Sequence, residues 1–218
     1  MKLFWNRTSN AAGGCKGVGK ELGNALSAPS GWTCPQFLDL RSYCLPKSDQ
    51  GQTSECVAFA TCGVIEAINW KRTHVSEQID PTPLYNECKR IDGDPGEGTT
   101  LTAAFTAAKN LNLIPSYATA NYVKTFDDVM FALHHLGPIV GAFSIDDGWQ
   151  YANVSTGWIP NGSTVLGGHA VVICWEDVTQ GAGVQNSWGN WGYKGQGFAR
   201  LTRAQFDKQF TGGLAIEV

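Results

Sequence analysis

The chain has 218 residues, a formal net charge of −3, 43% hydrophobic residues and 16% charged residues. A chain of this size buries enough surface to fold without disulfide or metal support, and its composition excludes a disordered polymer. The acidic balance leaves no broad basic surface for a nucleic-acid partner, and apolar runs such as Ala170 to Trp175 are strand-length, too short for a membrane span.

Residues 1–33, rich in Gly, Ser, Asn and Ala, are expected to form an extension or short pro-segment, with a short helix near Lys20 to Leu26. The apolar run after Lys2 is too short for a signal peptide. Seven cysteines leave at least one unpaired, and the other six could form up to three bridges, so the compartment stays open. From Ser54 to Lys71, Val57, Ala60, Val64 and Ile68 recur at helical spacing. Ser54 is the expected N-cap, which places Cys56 in the first turn. A second helix is predicted over Leu101 to Leu111 and a third over Phe126 to Leu136, stopped by Gly137-Pro138. Beyond it the period changes, and Ile139–Ile145, Ala170–Trp175, Gly183–Asn186 and Gly197–Leu201 read as strands. The expected domain is therefore residues 34–218, with a helical lobe over about 50–120, a β lobe over about 121–218 and a cleft between them.

Three segments carry chemistry. Gln50-Gly51-Gln52-Thr53-Ser54-Glu55-Cys56-Val57-Ala58-Phe59 puts a thiol at the positive end of a helix dipole, which favours the nucleophilic thiolate. Leu166-Gly167-Gly168-His169-Ala170-Val171 places an imidazole at the mouth of an apolar strand, with glycines leaving room for a substrate backbone. Val184-Gln185-Asn186-Ser187-Trp188-Gly189 offers a carboxamide oxygen that can fix the imidazole tautomer and an indole that can shield the bond. Singly, each has a plainer explanation: a packed thiol, a core histidine, an aromatic turn.

In this order the three segments resemble the papain family of cysteine peptidases, with Asp39-Leu40-Arg41 similar to the family's segment near the mature N-terminus. The resemblance implies an α+β papain-like two-lobe fold, with a helical lobe facing a β-barrel-like lobe. It implies Cys56 as nucleophile, His169 as its base, Asn186 as the group holding the ring, and Trp188 as the cover. The Gln50 amide and the Cys56 backbone N–H would bind the oxyanion. Gly98 and Thr99 look like the strip that binds an extended substrate, with Gly167, Gly168 and Ala170 on the opposing wall. Val57 stands where the family usually has Trp, and Thr53 where it usually has Cys. Glu55, beside the nucleophile, is expected to push the thiol pKa upward.

The implied reaction is hydrolysis of peptide bonds through a thioester acyl-enzyme. The alternatives are a catalytically silent binding module on the same scaffold, or a transpeptidase or isopeptidase using the same thiol. The expected partners are polypeptide substrates and either a protein inhibitor or the chain's own N-terminal segment, on a monomer needing no cofactor. No metal site is expected: His134-His135 has no Cys or carboxylate at ligand spacing. Gly14 to Lys20 approaches a phosphate loop but has Glu21 at the metal-binding position, and it reads as a flexible arm. Asp127-Asp128 and Asp146-Asp147 are expected to start a helix and a turn, and Trp149, Trp158 and Trp175 to pack the β lobe.

Overall fold

The computed structural model describes residues 13–20, 23–46, 48–177 and 179–218. In chain order these form β1 (Asn24–Ala25), β2 (Phe37–Asp39), α1 (Cys56–Thr73), α2 (Pro81–Asp92), α3 (Leu101–Asn110), β3 (Thr119–Val123) and α4 (Phe126–His135). There follow β4 (Ile139–Asp146), β5 (Val165–Asp177), β6 (Gly181–Gln185), β7 (Phe198–Thr202), α5 (Arg203–Gln209) and β8 (Phe210–Glu217). The strands join in one sheet in the order β1-β3-β8-β4-β5-β6-β7, and β2 pairs with the far end of β5. No described helix is long and apolar enough to cross a membrane.

Helix α1 lies between the lobes. Ten of its residues, from Cys56 to Ala67, are buried, because a helix covered on nearly every side shows no single apolar stripe. The cap differs from expectation: Glu55 occupies the N-cap and its side chain makes no capping bond. Ser54 instead donates to Glu97 at 2.7 Å, tying the start of α1 to the loop before α3. The helix ends at His74, whose left-handed φ of 56° closes the last turn.

Helix α2 has no counterpart among the predicted elements. Pro81 and Pro83 both fall in its first turn, where a helix has no use for their missing N–H groups. Asp80 caps the turn through Thr82 N at 3.0 Å, and Gly93 ends the helix in the left-handed region.

β5 is the spine of the β lobe, and its side chains alternate between two cores. Ala170, Val172 and Cys174 pack with α1 and α3, whereas Val171 and Ile173 pack with Phe126, Phe143, Trp149 and Phe206 on the other face. Each large apolar side chain fully buried there contributes about 1.5–3 kcal/mol. Burial on both faces explains why Ala170 to Trp175 is apolar without alternation. Thr125 and Asp128 form a reciprocal capping box at α4. Asp146 and Asp147 accept turn N–H groups from Gly148, Ser163 and Thr164. Trp149 packs inside the lobe, while Arg200 lies over Trp158 and Arg41 over Trp175.

The N-terminal segment departs from expectation twice. Residues 1–12 and 21–22 lie outside the described residues, but Asn24–Ala25, within the expected short helix, is a strand pairing in parallel with β3 at Asn121 and Tyr122. Isolated helices this short are marginal, and an open sheet edge satisfies the same backbone groups. Residues 13–18 are not a loose arm either, since their backbone bonds to both lobes. All seven cysteines are free thiols in the structure.

Candidate active site

Cys56 is the first residue of α1 and is fully buried. Its sulfur meets the backbone of Ala170, the residue after His169, as well as the backbone of Val57 and its own. Those contacts favour the thiolate, but burial outweighs them and pushes the thiol well above its ordinary pKa, with Cys15 adding to the rise. Glu55 is not among these leading causes, contrary to expectation; its carboxylate accepts from the Thr82 hydroxyl at 3.3 Å.

His169 is buried on β5, paired across the sheet with Phe143. Its Nε2 lies 2.8 Å from Asn186 Oδ1, and Ser187 N also donates to that oxygen at 2.8 Å. The backbone donor from Ser187 marks the atom as an acceptor, so Nε2 carries the ring proton shared with Asn186. Asn186 follows directly on β6, and its backbone N–H donates to Gly197 O at 2.8 Å. Trp188 lies over the imidazole with ring centroids 4.8 Å apart and a 32° tilt. Trp149 approaches the same ring edge-on at 6.1 Å, and Trp191 stacks on Trp149. Trp191 completes this wall without any motif that marks it in the sequence, and its indole donates to Trp149 O at 2.6 Å.

Gln50 is buried beside Ser187 and is held at three points. Its backbone N–H donates to Ser187 O at 2.9 Å, its Oε1 accepts from Ser187 Oγ at 2.6 Å, and one Nε2 donor goes to Thr53 O at 2.8 Å. Ser187, unassigned by motif reasoning although it sits inside the Asn186-Ser187-Trp188 run, thus orients the glutamine amide.

The two candidate substrate walls face each other across the N-terminal segment. Thr99 N donates to Gly14 O at 2.9 Å, and Lys16 N donates to Thr99 O at 2.8 Å, a parallel bridge. Opposite, Gly168 O accepts from Gly13 N at 2.8 Å and from Cys15 N at 3.3 Å. Gly98 supplies clearance, not bonds, to the occupant. A Cβ there would lie 2.5 Å from Gly14 O, and its own N–H and C=O are taken by Tyr85 Oη at 3.0 Å and Lys89 Nζ at 2.9 Å. Thr99 Oγ1 donates to Asp92 at 2.8 Å, so α2 anchors the whole strip. Gly168 is equally constrained, because a Cβ there would stand 2.0 Å from Cys15 O. Gly167 precedes it on β5 opposite Ile145, and Ala170 is fully buried against the sulfur. Gly14 sits over Cys56, with a Cβ built on it falling 2.9 Å from Sγ. Lys16 pairs with Asp94, and burial pushes the Cys15 thiol up to about 12.

No family model matches the chain, and no curated protein matches its sequence. Solved structures do. Xylellain, a cysteine protease from Xylella fastidiosa, superposes with a TM-score of 0.76 at 17% identity, covering 100% of this chain and 99% of that one. The chain adopts the papain-like fold. Digestive procathepsin L2 from Tenebrio molitor superposes at 0.75 and 19% identity over 100% of this chain and 83% of that one. proCathepsin B S9 from Trypanosoma congolense gives 0.73 and 14% over 96% and 88%. In this papain-like scaffold the start of α1 meets β5, where the Cys56 sulfur contacts the backbone of Ala170, the residue after His169.

Proposed function

We propose that the chain is a papain-like cysteine endopeptidase, hydrolysing peptide bonds through a thioester on Cys56. The reading rests above all on the buried imidazole–carboxamide pair, His169 Nε2 to Asn186 Oδ1 at 2.8 Å, beside the residue whose backbone meets the Cys56 sulfur. Burying two polar side chains costs free energy unless they bond. Apolar packing would serve this core equally well.

With Nε2 committed to Asn186, Nδ1 is the nitrogen that takes the Cys56 proton. The thiolate attacks the substrate carbonyl carbon, and the oxyanion accepts from Cys56 N–H and from the second N–H of Gln50 Nε2. Such preorganised donors each supply about 2.7–4 kcal/mol in the transition state. His169 then gives its proton to the departing amine, leaving the acyl group on sulfur. Water attacks the thioester while His169 removes its proton. The C–S bond breaks, the acid leaves, and the thiol is restored.

In this reading residues 13–18 are a built-in inhibitor. The segment satisfies the backbone donors and acceptors of Thr99 and Gly168 that an extended substrate would use, and it removes Cys56 from solvent. Displacing it lets the α1 dipole lower the thiol pKa toward a working value.

The test is labelling by a thiol-directed epoxide and hydrolysis of a peptide substrate, before and after proteolytic removal of the N-terminal segment. Both should rise on removal, and Cys56→Ala should abolish hydrolysis while retaining its near-ultraviolet circular dichroism. Hydrolysis by Cys56→Ala at the wild-type rate would overturn the assignment. Mass analysis of products formed with added amine separates hydrolysis from acyl transfer.

A further inference from the structure

Away from the groove, Cys34, His134 and Glu176 bring one sulfur, one imidazole nitrogen and one carboxylate oxygen within 4.8 Å of one another. They come from distant parts of the chain: the segment before β2, the last turn of α4, and the end of β5. His134 Nε2 lies 2.8 Å from Glu176 Oε1, and Cys34 Sγ lies 3.5 Å from both carboxylate oxygens. The Glu176 side chain is wholly buried, and those of His134 and Cys34 are partly exposed. Trp32 packs edge-on against His134 and Phe131, roofing the cluster.

We propose that Cys34, His134 and Glu176 bind a divalent cation of the zinc class, water completing a four-coordinate shell. The donor set is the mixed S, N, O combination that such an ion takes, and hard cations such as magnesium or calcium do not favour a thiolate. Tetrahedral bonds of about 2.0–2.3 Å separate neighbouring donor atoms by roughly 3.3–3.6 Å. The sulfur–carboxylate spacing of 3.5 Å already meets this, and the imidazole–carboxylate pair at 2.8 Å needs only to open slightly.

Charge supports the same conclusion. Among the described residues the hydrogen-bonding partners of the buried Glu176 carboxylate are His134 and the weakly donating Cys34 thiol. A wholly buried carboxylate with so few donors is poorly compensated. A dication with one carboxylate, one thiolate and a neutral imidazole is neutral overall, the thiol proton passing to solvent on binding. The ion would also clasp the base of the N-terminal segment to α4 and β5, independently of the chemistry at Cys56.

The test uses the full chain, reduced, stripped with chelator, and titrated with cobalt(II) and then zinc(II). The expected result is one equivalent bound, with a thiolate-to-cobalt charge-transfer band that zinc abolishes. Cys34→Ala should lose the band, and both it and His134→Ala should weaken binding at least 100-fold, beyond the roughly 10–100-fold of changes outside the ligand shell. Cys56→Ala should keep band and stoichiometry. Each variant's circular dichroism reports whether it has folded, and His134→Ala carries the test if Cys34→Ala does not. Failure of wild type to reach one equivalent overturns the proposal, as does a band that survives in folded Cys34→Ala or disappears in Cys56→Ala.

Discussion

Replacing Gly14 with alanine probes the seated segment without substituting any residue proposed to do chemistry. Gly14 has no positive φ, so alanine meets no backbone strain there, only contact. Its Cβ would stand 2.5 Å from Ser54 O, 2.8 Å from Ser54 C and 2.9 Å from Cys56 Sγ. All three atoms belong to the rigid entrance of α1, so the segment must move instead. Overpacking of this kind costs about 1–3 kcal/mol, which raises the open population about 5- to 150-fold at about 1.4 kcal/mol per decade. The opposing force is the set of backbone bonds from Gly13, Gly14, Cys15 and Lys16 to Thr99 and Gly168, each worth about 0.5–1.5 kcal/mol net. The assay is the rate of Cys56 alkylation by iodoacetamide in the native protein, read from the Cys56 peptide by mass spectrometry. Because alkylation needs the open form, the rate should rise by the same factor in Gly14→Ala. An unchanged rate in a folded variant refutes the reasoning, as does a wild-type Cys56 that reacts like an unfolded-chain thiol.

Three other outcomes follow from particular contacts. Asn186→Ala frees the imidazole to turn and should lower kcat/KM about 100-fold, the scale of a misplaced catalytic group, while Cys56 still alkylates after removal of the N-terminal segment. Ser187→Ala strands the buried Gln50 Oε1, now bonded at 2.6 Å, and should cost about 1–2 kcal/mol; calorimetry should find Tm lower by about 2–8 °C. Glu66 is held by burial at about 7, although Ile79 N donates to it. A carboxyl raised in the folded state stabilises fully below its unfolded value and loses that contribution as pH rises through about 7. Between about pH 4.5 and pH 8 wild type should therefore lose about 2 kcal/mol from this group, discounted for its partial contact with solvent. Glu66→Gln should flatten that slope in urea unfolding; a slope equal to wild type's refutes the assignment.

Much of this architecture is legible along the chain because it is carried by local signals. The thiol-bearing helix, the helices ending near Leu111 and Leu136, and four of the five strands after Gly137 announce themselves through periodicity and breakers, whereas β8 (Phe210–Glu217) does not. The order Gln50, Cys56, His169, Asn186 is equally readable, each residue lying in a short run of its own. Helix α2 is not, because its two prolines look like loop until their place in the first turn is known. Ser54 also misleads: its hydroxyl meets Glu97, 43 residues away, and a long-range partner outcompetes the cap.

The chain alone singled out the side chains proposed for acyl transfer, since the candidates for nucleophile, base and orienting group depend on residue type and on the element that carries each. Tertiary structure decided everything that depends on distance between remote segments. It laid residues 13–18 between Thr99 and Gly168, turned Glu55 toward Thr82, and set Ser187 against Gln50. It also brought Cys34 and Glu176 to a histidine whose sequence neighbours offer no ligand. Periodicity reports which face of an element is buried, but not what it is buried against. That second fact comes only from the closing of long loops.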